Sequence, residues 1–215
     1  LPDENRMING FTDYEELTRT RRLIMRSYKL PGNRLRLLHT NENRGAVTID
    51  EERDYHFRYV LEDNFGNRRT YQFTVKGKRQ DIPEYKPEAN EMLYWNRTNV
   101  IQKPGMELVV PRYYVYEDVP LRTDMRGDSS HIAFDYILDA GRTPIHSYCD
   151  LSIGLRHMPV ADTTKYYIVQ KAGKWRSSMG GKYANGWIKT RVRSLGTFSV
   201  DVDTIAPQIT PIGQG

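Results

Sequence analysis

The stretch DYHFRYVLEDNFGNRRTYQFTVK, Asp54 to Lys76, decides the fold class. In its first arm Tyr55, Phe57, Tyr59 and Leu61 alternate with Asp54, His56, Arg58 and Glu62. In its second arm Tyr71, Phe73 and Val75 alternate with Thr70, Gln72 and Thr74. A period of two held through both arms predicts an antiparallel hairpin, because successive side chains on a strand point to opposite faces. The connection DNFGN supplies turn formers, and Gly66 can take the positive φ that a bulged loop demands. Each apolar side chain on that face contributes roughly 1.5–3 kcal/mol if buried. A lone hairpin is marginal in water, so a second sheet is expected to cover the aromatic face.

Working outward, short strands flanked by turn signals recur along most of the chain. Leu23–Leu30 and Leu35–His39 flank the turn Pro31-Gly32-Asn33, and Ala46–Ile49 follows another at Asn43-Arg44-Gly45. Upstream of these, Thr12 reads as the N-cap of a short helix with an acidic start, trailed by the basic group Arg19, Arg21, Arg22 and Arg26. That group reads as a charged helix end and strand face, with an anion site as the functional alternative. About five strands before residue 76 fall short of the roughly seven of an immunoglobulin-like sandwich. Residues 77–87, charged and proline-punctuated, mark a boundary.

Beyond it, Met92–Trp95, Met106–Val110, Tyr113–Tyr116, Ile132–Leu138, Leu151–Leu155 and Lys165–Val169 read as extended segments. Residues 171–182 read as a loop. A second hairpin is expected from the inward parity of Ile188, Val192, Phe198, Val200 and Val202. The fold class that follows is all-β, a tandem of immunoglobulin-like β-sandwich modules. Residues 1–80 form a partial module short of its N-terminal strands and 81–203 a second β-sandwich. Residues 204–215, with Pro207 and Pro211, form a linker into a further module.

The totals restrict the function classes. Thirty-two basic against 27 acidic residues leave a net charge of +5, but the signs are interspersed, so no nucleic-acid partner is expected. The single cysteine, Cys149, excludes an intrachain disulfide and reads as a buried small hydrophobe. No apolar run is long enough to span a membrane. The polar first ten residues are not a signal peptide, so any export signal is expected upstream of Leu1.

No cofactor is expected, because nucleophile-elbow, phosphate-loop and dinucleotide patterns are absent. His131 and Asp135 have the spacing of some zinc hydrolases, but on a strand they would sit about 13 Å apart at 3.3 Å per residue. No third ligand pattern accompanies them. Asp63, Asn64 and Asn67 in the hairpin turn, with Asp201 and Asp203 at the exit, are calcium candidates; turn chemistry is the plain alternative. Tyr166, Tyr167, Trp175, Tyr183 and Trp187 crowd one stretch. Tyr166, Trp175, Tyr183 and Trp187 are the candidates for glycan stacking, against a plain role in the core.

Four phrases taken in order carry a resemblance: LPGNRLRL (30–37), NRGAVTIDEERDYHFRYVLEDNFGNRRTYQFTVKGK (43–78), LSIGLRHMPVADTTKYYI (151–168) and VRSLGTFSVDVDTIAPQITP (192–211). Together they resemble the region downstream of the catalytic domain in bacterial cell-wall metallopeptidases of the M23 (lysostaphin/LytM-like) family. The family's zinc signature, an H-x(n)-D pair with a later H-x-H, is not found here. The resemblance therefore implies a non-catalytic role, with a peptidase domain upstream of Leu1 as the partner. It also implies export to the periplasm or cell surface, contact with peptidoglycan, and further strands upstream of the first module. The rival expectation is a free-standing surface glycan-binding or adhesion module.

Overall fold

Between Met92 and Val202 apolar residues recur two apart in segment after segment, and such segments fold by pairing into sheets whose apolar faces meet. The computed structural model describes residues 6–83, 86 and 88–208. Among the described residues it is an all-β protein, with a short helix, α1 (Tyr14–Thr20), and thirteen strands. The strands are β1 (Asp54–Glu62), β2 (Arg68–Lys76), β3 (Glu91–Leu93), β4 (Asn99–Lys103), β5 (Met106–Val110), β6 (Val119–Arg126) and β7 (Asp135–Asp139). They continue as β8 (Cys149–Gly154), β9 (Tyr166–Ala172), β10 (Trp175–Ser178), β11 (Lys182–Ala184), β12 (Trp187–Val192) and β13 (Gly196–Val202).

From Glu91 on, the strands form a sandwich of a six-stranded sheet, β10-β9-β13-β7-β6-β3, and a five-stranded sheet, β11-β12-β8-β5-β4. Every pairing is antiparallel. Leu93, Leu121, Leu138, Ile168 and Phe198 from one sheet join Met106, Leu108, Leu151, Ile153 and Ile188 from the other in a single core. Tyr136 is also buried there because its hydroxyl reaches the Pro104 carbonyl at 2.7 Å. Burial pushes that phenol up to about 12. Cys149 is in the same core, as expected, and burial pushes its thiol up to about 12, so it stays protonated at neutral pH.

The parity of Ile188, Val192, Phe198 and Val200 is the inward one, and all four are buried. The expected hairpin between them is nevertheless absent. Strand β12 pairs with β8 and β11, whereas β13 pairs with β7 and β9, so the Arg193–Leu195 connection crosses from one sheet to the other. An inward pattern on two successive strands is satisfied equally by hairpin partners and by strands facing each other across a core. The expected loop 171–182 contains an edge strand, β10, and Tyr113–Tyr116 is a run of turns and bends instead of a strand.

The N-terminal part departs further from expectation. Helix α1 is capped one residue later than Thr12, by Asp13, whose side chain accepts from Glu16 N at 2.9 Å. Leu23–Leu30, Leu35–His39 and Ala46–Ile49 are not strands; among the described residues here a single bridge, Thr12 to Met25, pairs extended backbone. Their apolar residues serve other ends. Leu30 and Leu35 join Met7, Phe11 and Tyr116 in a second small core, while Leu23, Ile24 and Met25 stay exposed.

Strands β1 and β2 pair as the expected antiparallel hairpin, and the structure sets Tyr55 opposite Val75, Phe57 opposite Phe73 and Tyr59 opposite Tyr71. Gly66 takes φ +83° in the loop. Among the described residues no second sheet covers the aromatic face: of its seven apolar side chains Tyr55 is buried, Phe57 and Val75 are half-buried, and Tyr59, Leu61, Tyr71 and Phe73 are exposed. Residues 204–208 carry no strand, and the remainder of the expected linker, 209–215, lies outside the described residues.

The two regions should respond differently to truncation. Leu151→Ala and Phe198→Ala are expected to destabilise the sandwich by about 2–5 and 3–5 kcal/mol, whereas Tyr71→Ala should change it by less than about 0.5 kcal/mol. Urea unfolding followed by tryptophan fluorescence checks this, since all three tryptophans lie between residues 95 and 187. Equal losses for Tyr71→Ala and Phe198→Ala would contradict the assignment of the core.

Candidate functional site

The glycan-stacking candidates belong to one rim of the sandwich. There the chain leaves the six-stranded sheet at Ser178 and enters the five-stranded sheet at Lys182. The crossing is held by Met179 N to Ile168 O and Ile168 N to Gly180 O, both 2.8 Å, and by Thr190 Oγ1 to Met179 O at 2.7 Å. Glycine is required in it. Gly180 and Gly181 have φ +66° and +152°, and a Cβ on Gly181 would stand 2.4 Å from Ile188 Cγ2.

This crossing separates the candidate rings. Tyr166 is 2% exposed, and its hydroxyl donates to Val160 O at 2.7 Å and accepts from Val160 N at 2.9 Å, so it is a core residue. Tyr183 stands opposite buried Ile188, whereas Trp187 stands opposite Ala184 and Gly154. Tyr183 and Trp187 therefore occupy opposite faces of the β11–β12 ribbon. The Trp187 indole lies over Gly154, with three ring atoms 3.6 Å from where a Cβ would be. Trp175, on β10 at the edge of the other sheet, is 81% exposed beside Ser177 and Ser178. The four rings do not share a platform; Trp175 is by far the most exposed of them, and Tyr183 is 37% exposed.

The calcium candidates are engaged in local bonding. Asp63 Oδ1 accepts from the backbone N–H of Phe65 and of Asn67, both at 2.9 Å, and its Oδ2 accepts from Asn67 Nδ2 at 2.8 Å. The Asn67 side chain, then those backbone donors, lower the Asp63 carboxyl from its ordinary value. Asp201 holds Arg176 Nη1 at 3.0 Å and Asp203 caps Ile205 N at 3.0 Å. His131 and Asp135 point to different partners: His131 Nδ1 is 2.9 Å from Asp128 Oδ1, and Asp135 accepts from Lys171 Nζ at 2.6 Å. The Ser130 hydroxyl, then its N–H and His131, hold the Asp128 carboxyl down at about 2. Among the described residues no three His, Cys, Asp or Glu side chains converge as a metal site.

A junction that sequence reasoning missed joins the N-terminal part to the sandwich. Its centre is Tyr116, whose phenol burial pushes well above its ordinary value and keeps neutral. The hydroxyl donates to Arg6 O at 3.0 Å, which leaves Nδ1 of buried His146, also at 3.0 Å, as the donor to it. Gly32 N donates to Tyr116 O at 2.6 Å, and Asn33 Nδ2 donates to Met7 O at 2.8 Å. Nearby, the guanidiniums of Arg34 and Arg112 lie 4.5 and 4.4 Å from the Tyr113 ring centroid. Tyr113 itself has φ +69°. No local periodicity announces this junction, since its bonded residues lie 26 to 110 positions apart. The glycine of the PGN turn was the available signal: a Cβ on Gly32 would stand 2.9 Å from Val115 O and 3.0 Å from Tyr116 Cα.

Because those neighbours are backbone, Gly32→Ala is expected to lift residues 30–35 off Tyr116 while leaving the sandwich folded. Limited proteolysis reads this as at least a ten-fold faster cleavage between residues 21 and 45, with near-ultraviolet circular dichroism retained. Unchanged cleavage would show that the turn does not depend on close backbone approach.

The comparisons with known proteins bear on the sandwich. No curated protein and no solved structure matches the chain. The Zu5-like domain family matches residues 90–203, the span of both large sheets and just over half of the sequence. The chain belongs to the Zu5-like domain family.

Proposed function

We propose that this chain is a non-catalytic β-sandwich region of an exported bacterial cell-wall peptidase of the M23 kind, and that it positions the enzyme or contacts peptidoglycan. The resemblance of residues 30–37, 43–78, 151–168 and 192–211 to the downstream part of such enzymes supports this reading. So does the architecture, a sealed sandwich that presents loops and edge strands on a rigid frame. The observation that carries the contact role is Trp175, fully presented on an edge strand with hydroxyl-bearing neighbours. An exposed indole stacks on the C–H face of a sugar ring, and the serines of the same strand can bond the sugar's hydroxyls. In this reading hydrolysis is the work of an upstream domain, and the protein acts in the periplasm or at the cell surface. The same exposure of Trp175 favours, as a second reading, a free-standing glycan-binding or adhesion module.

Co-sedimentation with purified peptidoglycan sacculi tests the contact role. The chain is expected in the pellet, with binding weakened roughly three- to ten-fold by Trp175→Ala and unchanged by Trp187→Phe. Absence from the pellet would leave a spacer and refute the contact role. Release of muropeptides by the chain alone, stopped by a chelator, would refute the non-catalytic assignment.

A further inference from the structure

The β1–β2 ribbon has one polar and one apolar face. Residues opposite one another share a face, so Tyr55, Phe57, Tyr59, Leu61, Arg69, Tyr71, Phe73 and Val75 stand together. The other face carries Asp54, His56, Arg58, Val60 and Glu62 with Arg68, Thr70, Gln72, Thr74 and Lys76. The rings of the apolar face are ordered: Phe57 stacks on Phe73 at 5.1 Å and 8°, and Tyr59 on Phe73 at 5.9 Å and 9°. Tyr71 leans on the same ring at 5.8 Å. Ring faces are thus spent on one another, which leaves few of them for a sugar. A layer of side chains can interdigitate with such a row as the two sheets of a sandwich do.

The size of the patch sets the scale of its partner. Tyr59, Leu61, Tyr71 and Phe73 are 46%, 65%, 63% and 36% exposed, and Phe65 at the tip is 92% exposed. With about 150–250 Å² per aromatic side chain, roughly 500–700 Å² of apolar surface is open. That is at or above the largest patch of an ordinary monomer, about 300–600 Å². Two such faces, tips included, bury at most about 1,000–1,400 Å² when pressed together, the low end of specific interfaces.

The distribution of charge selects the arrangement. Arg69, at the tip end, is the only charged residue on the apolar face. At the other end the Tyr55 hydroxyl donates to Asp50 Oδ1 at 3.2 Å and accepts from Glu51 N at 3.1 Å. Glu51 is already held by Arg53 at 2.6 Å, and the Arg53 guanidinium lies over the Tyr55 ring. Asp50, exposed and bonded to the Tyr55 hydroxyl, is thus a carboxylate at the base end of the row. A two-fold axis lying in the interface and across the strands places tip over base. It sets Phe57 and Phe73 against the partner's Tyr59 and Tyr71, and twice over brings Arg69 to the partner's Tyr55–Val75 end, within a long side chain's reach of its Asp50. Packing tip on tip would instead bring the two Arg69 side chains together.

We propose that the aromatic face of the β1–β2 ribbon is a self-association surface, occupied by the same face of a second copy of this chain in an antiparallel, two-fold arrangement. Such an interface is isologous, the commonest way for a chain to close an oligomer. It also supplies the second layer that a two-stranded ribbon lacks.

Sedimentation equilibrium of the intact 25.2 kDa chain between 1 and 200 μM tests it. The expected result is a monomer–dimer equilibrium with a micromolar dissociation constant. Tyr71→Arg should weaken it at least thirty-fold, while Thr70→Arg on the polar face leaves it within three-fold. Arg69→Asp and Asp50→Arg should each weaken it, and the double variant should recover most of the loss, a pattern that misfolding does not produce. A monomer at 200 μM overturns the proposal. So does association that ignores Tyr71→Arg, or a chain that stays monomeric and captures only an unrelated protein through this face.

Discussion

The structure depends on the mutual burial of two apolar sheet faces between Glu91 and Val202. A strand offers one side chain in two to each face, so a single sheet leaves half of its apolar surface in water, and the second sheet removes it. Leu108, Leu151, Ile153 and Ile188 on one side and Leu121, Leu138, Ile168 and Phe198 on the other are all completely buried. What else the chain displays is positioned by that contact. Trp175 stands out because β10 is the edge of one sheet, and Trp187 lies flat on Gly154 because β12 and β8 are neighbours in the other. Tyr116, at a bend between β5 and β6, offers the sandwich's handle to the N-terminal segment.

The period-two signal was legible in the sequence and led to the all-β class, the strand Met106–Val110, the β1–β2 hairpin and the inward parity of Ile188 to Val200. The signal reports which side chains share a face and is silent on what lies over that face. That is why the pattern from Tyr55 to Val75, the strongest in the chain, belongs to an uncovered ribbon. The weaker patterns of β4, β6 and β8 belong to the core. The same silence produced the misreading of β12 and β13 as hairpin partners. Segments 23–30, 35–39 and 46–49 were misread for a different reason. Their apolar residues are spent individually, on a small cluster or in the open, and among the described residues their backbone forms no ladder beyond the single Thr12–Met25 bridge.

The candidate site was legible only as a crowding of aromatic residues near the end of the chain. Whether such rings converge depends on strand pairing, and here the Met179–Gly181 crossing sends Trp175 and Trp187 to different sheets. The carboxylates singled out at Asp63, Asp201 and Asp203 are turn, ion-pair and cap residues, the roles that short acidic side chains most often fill in β-rich chains. The Tyr116–His146–Arg6 junction left no trace in local pattern, since its members meet only after the sandwich has formed. Membership in the Zu5-like family describes the sandwich, while the uncovered ribbon lies outside the matched span.

The central claim is that burial divides the chain into a sealed sandwich and a ribbon whose aromatic face meets solvent in the single molecule. Amide hydrogen exchange at about 1 μM, below the concentration at which copies associate, measures this division directly, because slow exchange requires a large opening free energy. The account predicts that the amides of β5, β8, β9 and β13 exchange at least a thousand-fold more slowly than those of β1 and β2. Equal protection of the ribbon and the sandwich under those conditions would contradict it.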